Sequence, residues 1–136
     1  MKYSALIQAA KKAKRYSRAP YSNFRVGAAL LTKSGKIYTG CNIENSSYSL
    51  TICAERTALF KALSESRPIC VALAITSDSH EIITPFGACR QVILELAGDI
   101  DLVLTNRNGK LKIVRSGELL PLPFTKKSLQ EFRRKN

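Results

Sequence analysis

A nearly unbroken apolar run, Ile69-Cys70-Val71-Ala72-Leu73-Ala74-Ile75-Thr76, does most to limit what this chain can become. Pro68 resets the backbone just before it, and the run reads as a strand. A strand without polar alternation has both faces covered, as happens in a sheet packed between helices. Residues 77–85 then read as a loop, and Gly87–Ala97 as a helix with Gly98 as its stop. Asp101–Thr105 reads as a second strand. Strand, helix and strand in that order predict a right-handed parallel crossover.

The rest of the chain fits around this unit. Residues 4–16 read as a helix with Leu6, Ala9, Ala10, Ala13 and Tyr16 on one face and Ser4 as its cap. Pro20 forbids its continuation. Phe24–Lys33 and Lys36–Cys41 read as a hairpin turning at Ser34-Gly35, placed at one side of the sheet. A helix from about Cys53 to Ser64 follows a polar stretch at 42–49. The final hairpin turns at Asn108-Gly109, Gly117–Leu120 forms a short turn, and a basic helix begins near Thr125. The expectation is one α/β domain over residues 1–136, a mixed five-stranded sheet with helices on both faces. A length of 136 residues suits a single core.

No apolar run reaches the roughly 20 residues that cross a bilayer. The start of the chain turns quickly into a lysine-rich amphipathic helix and lacks the apolar block of a signal peptide, so a cytoplasmic location is expected. The charge is +12, from 22 basic and 10 acidic residues. The first 43 residues carry nine Lys or Arg and no acid, and a basic surface of that kind can meet nucleic acid or anionic membrane. Its basic residues are not interleaved with stacking aromatics, which favours a plain solvated face.

Chemistry concentrates in two segments, Thr51-Ile52-Cys53-Ala54-Glu55-Arg56 and Pro85-Phe86-Gly87-Ala88-Cys89-Arg90-Gln91. Both read as first turns of helices, with Pro85 suited to the start of the second. A cysteine there feels the positive end of the helix dipole, which favours its thiolate. Two such thiolates brought together suit zinc. Glu55 places a carboxylate beside any water that the metal holds; alternatively it only stabilises a first helical turn. Cys41 and Cys70 read as buried, reduced thiols.

Cys-x-Glu followed by Pro-x-x-x-Cys is similar to the signature of the zinc deaminases, in which Glu is the general acid/base rather than a ligand. The likeness extends through Ala19-Pro20-Tyr21-Ser22, Phe24-Arg25-Val26-Gly27-Ala28-Ala29-Leu30-Leu31, Gly40-Cys41-Asn42-Ile43-Glu44-Asn45 and Cys53-Ala54-Glu55-Arg56-Thr57-Ala58. On these residues the chain resembles the small homotetrameric cytidine deaminases. The resemblance implies a three-layer αβα sandwich, with both cysteine-bearing helices converging on one zinc per chain. It implies Cys53 and Cys89 as metal ligands, Glu55 as the catalytic proton shuttle, and Arg56 hydrogen-bonding the thiolates. Phe24 would pack on the base, Asn42 and Glu44 would hold the sugar hydroxyls, and Ala54 would line the substrate site. Tyr48 and Phe124 would complete a neighbouring subunit's pocket in a homotetramer. The implied reaction is hydrolysis of cytidine or deoxycytidine to uridine or deoxyuridine and ammonia, as in pyrimidine salvage.

One position departs from the pattern. Phe86 stands where that family has a further zinc cysteine. Phenylalanine cannot bind a metal, so water, a small anion, His80 or Asp78 would have to fill the gap. Two other readings stay open: a pyrimidine-nucleoside-binding relative without turnover, motivated by Phe86, and a deaminase of RNA or single-stranded DNA, motivated by the charge.

Overall fold

The computed structural model describes residues 2–133. Its strands are β1 (Val26–Thr32), β2 (Ile37–Cys41), β3 (Cys70–Ser77), β4 (Asp101–Thr105) and β5 (Leu111–Arg115). They form one sheet in the order β2-β1-β3-β4-β5. Only the β3–β4 pair is parallel, with Ala74 opposite Val103, and it is joined by a helix as the apolar run at 69–76 predicts. The helices are α1 (Ser4–Lys14), α2 (Ala54–Glu65), α3 (Gly87–Ala97) and α4 (Lys126–Arg133).

Alternation along the strands sorts the core into two layers. Leu30, Leu73, Ile75, Leu102 and Leu104 point to one face and pack with Ala54, Ala58, Leu59 and Ala62 of α2 and Ile93 of α3. Ala29, Ala72, Ala74 and Val103 point to the other and pack with Tyr3, Leu6, Ile7 and Ala10 of the α1 segment. Each fully buried leucine or isoleucine contributes about 1.5–3 kcal/mol of hydrophobic stabilisation.

Two glycines set how closely the helices approach. A Cβ on Gly27 of β1 would lie 2.1 Å from the Ala10 carbonyl oxygen of α1. A Cβ on Gly40 of β2 would lie 2.5 Å from both the Ala54 oxygen and the Ala58 nitrogen of α2. Helix backbone therefore rests on strand backbone at both points, which any side chain there would prevent.

The element order agrees with the sequence reading, and several details differ. Ser4 is not a cap: Tyr3 occupies the N-cap position and no side chain bonds there. Tyr16 is 75% exposed because α1 has already ended at Lys14. Pro85 precedes the N-cap residue of α3, Phe86, rather than opening the helix. Cys41 and Cys70 are free but only half-buried. Gly98 ends α3 at φ 82°, as expected of a helix stop. The basic segment after Thr125 is helical. None of the described helices is long and apolar enough to cross a membrane.

Candidate active site

The first turns of α2 and α3 meet at the end of a cavity of about 700 Å³. Cys53 is the N-cap residue of α2, in extended conformation (φ −71°, ψ 153°), so its side chain stands clear of the helix while Ala54 and Glu55 begin it. Cys89 lies in the first turn of α3 and is fully buried. The two cysteines are neighbours: hydrogen bonding from Cys89 lowers the Cys53 thiol against the opposing effect of burial, with Arg56 adding to the drop. Cys89 itself is pushed up, because its proton bridges to Cys53 and because it is buried. A thiolate is thereby favoured at Cys53, while the Cys89 thiol holds its proton more firmly.

Arg56 answers that charge, with Nη2 donating to Cys53 Sγ at 3.5 Å. Its Nε is buried without a partner. Glu55 is 5% exposed, and burial raises its carboxyl to about 7, with the neighbouring Cys53 charge acting in the same direction. A carboxyl at that value is half-ionised at neutral pH, as an acid that must both accept and return a proton requires.

Cys53, Ala54 and Glu55 form one wall of the cavity, Phe24, Val26, Asn42 and Glu44 the next, and the loop at 82–87 with Arg90 the third. The Asn42 side chain is held in place from three sides. Its Oδ1 accepts from the Val26 nitrogen at 2.9 Å and from the Ser17 hydroxyl, and its Nδ2 donates to the Phe24 carbonyl at 2.8 Å. Glu44 Oε1 accepts from the backbone nitrogens of Tyr21 and Ser22 at 3.0 and 3.1 Å, and Oε2 from the Ser22 hydroxyl. The hydroxyl bond comes first in holding the Glu44 carboxyl below its ordinary value.

Six expected site residues therefore line one cavity: Phe24, Asn42, Glu44, Cys53, Ala54 and Glu55. Cys89 and Arg56 sit behind the wall, in contact with Cys53. Tyr48 and Phe124 do not line this cavity; they are 66% and 59% exposed, and the Tyr48 ring meets that of Tyr21 edge-on at 6.1 Å.

Three contributors escaped sequence reasoning. Ser22 ties Glu44 to Phe24 within one wall, since its Oγ also accepts from the Phe24 nitrogen at 3.0 Å. Ser17 braces Asn42. Arg90 braces the third wall, bonding the Pro85 carbonyl and the Thr84 hydroxyl, both at 2.7 Å, and the Leu119 carbonyl at 3.1 Å. Ser22 and Arg90 lie inside the quoted motifs, but no spacing rule assigns them these bonds.

Over residues 1–105 the chain matches the family model described as the cytidine and deoxycytidylate deaminase zinc-binding region, and it belongs to that family. A cytidine deaminase of Sporosarcina psychrophila is 48% identical over 130 residues, covering 95% of this chain and 96% of the relative. The crystal structure of cytidine deaminase from Burkholderia pseudomallei superposes with a TM-score of 0.88 at 50% identity, covering 91% of this chain and all of the other. That of cytidine deaminase from Mycobacterium tuberculosis gives 0.78 at 37% identity, covering 91% and 98%.

The family's metal is zinc, and two sulfurs beside a compensating arginine fit it in part. Among the described residues no three His, Cys, Asp or Glu side chains gather to hold a metal. Neither suggested substitute fills the gap. Asp78 is paired with Lys14 at 3.0 Å and Arg25 at 2.9 Å, and His80 is exposed on the surface. Of the expected donors, Cys53 and Cys89 are the two that stand together.

Proposed function

We propose that the chain hydrolyses the exocyclic amino group of cytidine or deoxycytidine, giving uridine or deoxyuridine and ammonia. One observation carries this reading: a buried carboxyl, Glu55, lies beside the Cys53–Cys89 pair in the cavity that Phe24, Asn42 and Glu44 also line. Zinc held by Cys53 and Cys89, when bound, supplies a water made nucleophilic at neutral pH. Glu55 takes a proton from the attacking water, passes it to N3 of the ring, and later delivers one to the departing amino nitrogen. Phe24 packs on the base. The immobilised Asn42 amide and Glu44 carboxylate receive the sugar hydroxyls, which suits a free nucleoside better than a polynucleotide.

Loss of the cytidine absorbance, with ammonia released in step, tests the reaction. Zinc-loaded protein that leaves cytidine and deoxycytidine unchanged would sink it. That no third protein donor gathers there among the described residues supports a second reading, a nucleoside-binding relative that does not turn over; binding of cytidine without ammonia release would select that one.

The exposed rings of Tyr48 and Phe124 support a homotetramer in which each subunit completes a neighbour's pocket. Light scattering that returns a monomer mass at micromolar concentration would exclude the tetramer.

A further inference from the structure

Glu44 meets three donors from one short turn of the chain. Its Oε1 accepts from the backbone nitrogens of Tyr21 and Ser22, at 3.0 and 3.1 Å, and its Oε2 accepts from the Ser22 hydroxyl. A carboxylate offers about two acceptor positions on each oxygen. Oε1 is thereby filled, and Oε2 keeps one position for a ligand. Ser22 is the side chain already bonded to that oxygen, and both residues line the cavity. The turn itself aims the serine. Ser22 Oγ accepts from the Phe24 nitrogen at 3.0 Å, which leaves the hydroxyl proton for Glu44. Asn23, between them, stands at φ 61°, in the left-handed region that asparagine enters more readily than most residues. Its nitrogen donates to the Ala19 carbonyl at 3.0 Å and closes the turn that contains Pro20. The start of the turn is fastened to the segment that bears Glu44. The Arg18 nitrogen donates to the Asn42 carbonyl at 3.0 Å, and the Glu44 nitrogen donates to the Arg18 carbonyl at 2.8 Å.

We propose that Ser22 is a positioning residue, which orients the one free acceptor position of Glu44 toward the sugar, and that the left-handed residue Asn23 holds Ser22 in place to do so. This role rests on Glu44 receiving a sugar hydroxyl, as in the proposed reaction, and does not require turnover. Without the Ser22 hydroxyl the carboxylate keeps its two backbone donors on Oε1 but can swing about them, so Oε2 is no longer held toward one direction. Ser22 reaches the substrate only through Glu44, because its own proton and its acceptor position toward Phe24 are already in use.

The test is the dissociation constant of uridine and of 2′,3′-dideoxyuridine, measured by calorimetry on the full chain. Neither nucleoside has an amino group to lose, so turnover does not enter, and only the first carries the ring hydroxyls of the sugar. Native protein should bind uridine the more tightly. Ser22→Ala should weaken uridine by roughly 2–10-fold, the worth of one hydrogen bond, and should weaken dideoxyuridine by less. A merely structural loss would weaken both alike. Asn23→Val puts a β-branched residue at a positive φ and should lose uridine affinity as Ser22→Ala does, whereas Asn23→Gly, free to adopt that φ, should retain more of it. Equal losses on the two nucleosides in Ser22→Ala, or no loss on uridine, would overturn the positioning role. Equal uridine binding by Asn23→Val and Asn23→Gly would overturn the part given to the turn. Native protein that binds both nucleosides equally would instead sink the sugar-holding by Glu44, and the role of Ser22 with it.

Discussion

The two faces of the sheet solve the same packing problem in opposite ways. On the α1 face the helix is large and the sheet is small: Tyr3, Leu6 and Ile7 descend onto Gly27, Ala29, Ala72 and Ala74. On the α2 face the sheet carries more of the bulk: Leu30, Leu73 and Ile75 rise against a helix lined by Ala54, Ala58 and Ala62, with Leu59 its one large buried side chain. On both faces helix backbone also rests on strand backbone at a glycine, Gly27 under α1 and Gly40 under α2, but only the second contact lies at a helix start. The start of α2, pressed on Gly40, is where Cys53, Ala54 and Glu55 emerge. One face therefore serves stability, and the other converts close packing into placement of reactive groups.

Substitutions on the two faces should separate rate from stability. The largest effect is expected from Glu55→Gln, which should lower kcat on cytidine by about 10²–10⁴-fold while zinc content and melting temperature hold, since a neutral amide replaces a costly buried carboxyl. Retained activity would remove Glu55 from the chemistry.

Gly27→Ala and Gly40→Ala should each cost about 1–3 kcal/mol by overpacking, read from denaturant unfolding. They should part company at the site: Gly40→Ala displaces the start of α2 and weakens zinc binding, while Gly27→Ala leaves zinc binding as it was. Equal losses of zinc in both would erase the distinction between the faces.

A smaller effect is expected from Tyr3→Phe. The Tyr3 hydroxyl donates to Asp101 Oδ2 at 2.6 Å, tying α1 to β4, and its removal should cost about 1.5 kcal/mol without changing KM. That bond, followed by burial, raises the tyrosine to about 12. The folded value lies above the unfolded one, so the contribution is complete below pH ~10 and fades as pH climbs towards 12. Native protein should therefore lose stability relative to Tyr3→Phe over that interval.

The smallest effect is expected from Asp78→Asn, at about 1 kcal/mol or less. Burial works to raise the Asp78 carboxyl, but hydrogen bonds from Arg25 and Lys14 outweigh it and hold the group at about 2. Because the folded value is depressed, the stabilisation is present above pH ~4 and is lost as pH falls towards 2. Acid melts of native and variant protein should converge there.

What the linear chain could determine was everything carried by near neighbours. The apolar run at 69–76 required covered sheet faces, Gly87–Ala97 and Asp101–Thr105 fell where the structure has them, and Cys53-Ala54-Glu55 announced a reactive helix start. Those signals are periodicities and caps, expressed within a few residues. Tertiary structure alone decided that Cys89 is brought beside Cys53, and that burial raises Glu55 to about 7. It also decided that Ser22 holds Glu44, that Asp78 is already paired, and that the rings of Tyr48 and Phe124 turn away from their own cavity. Each depends on strand order and on how near a helix can come to Gly40, which bring distant residues together without leaving a local trace.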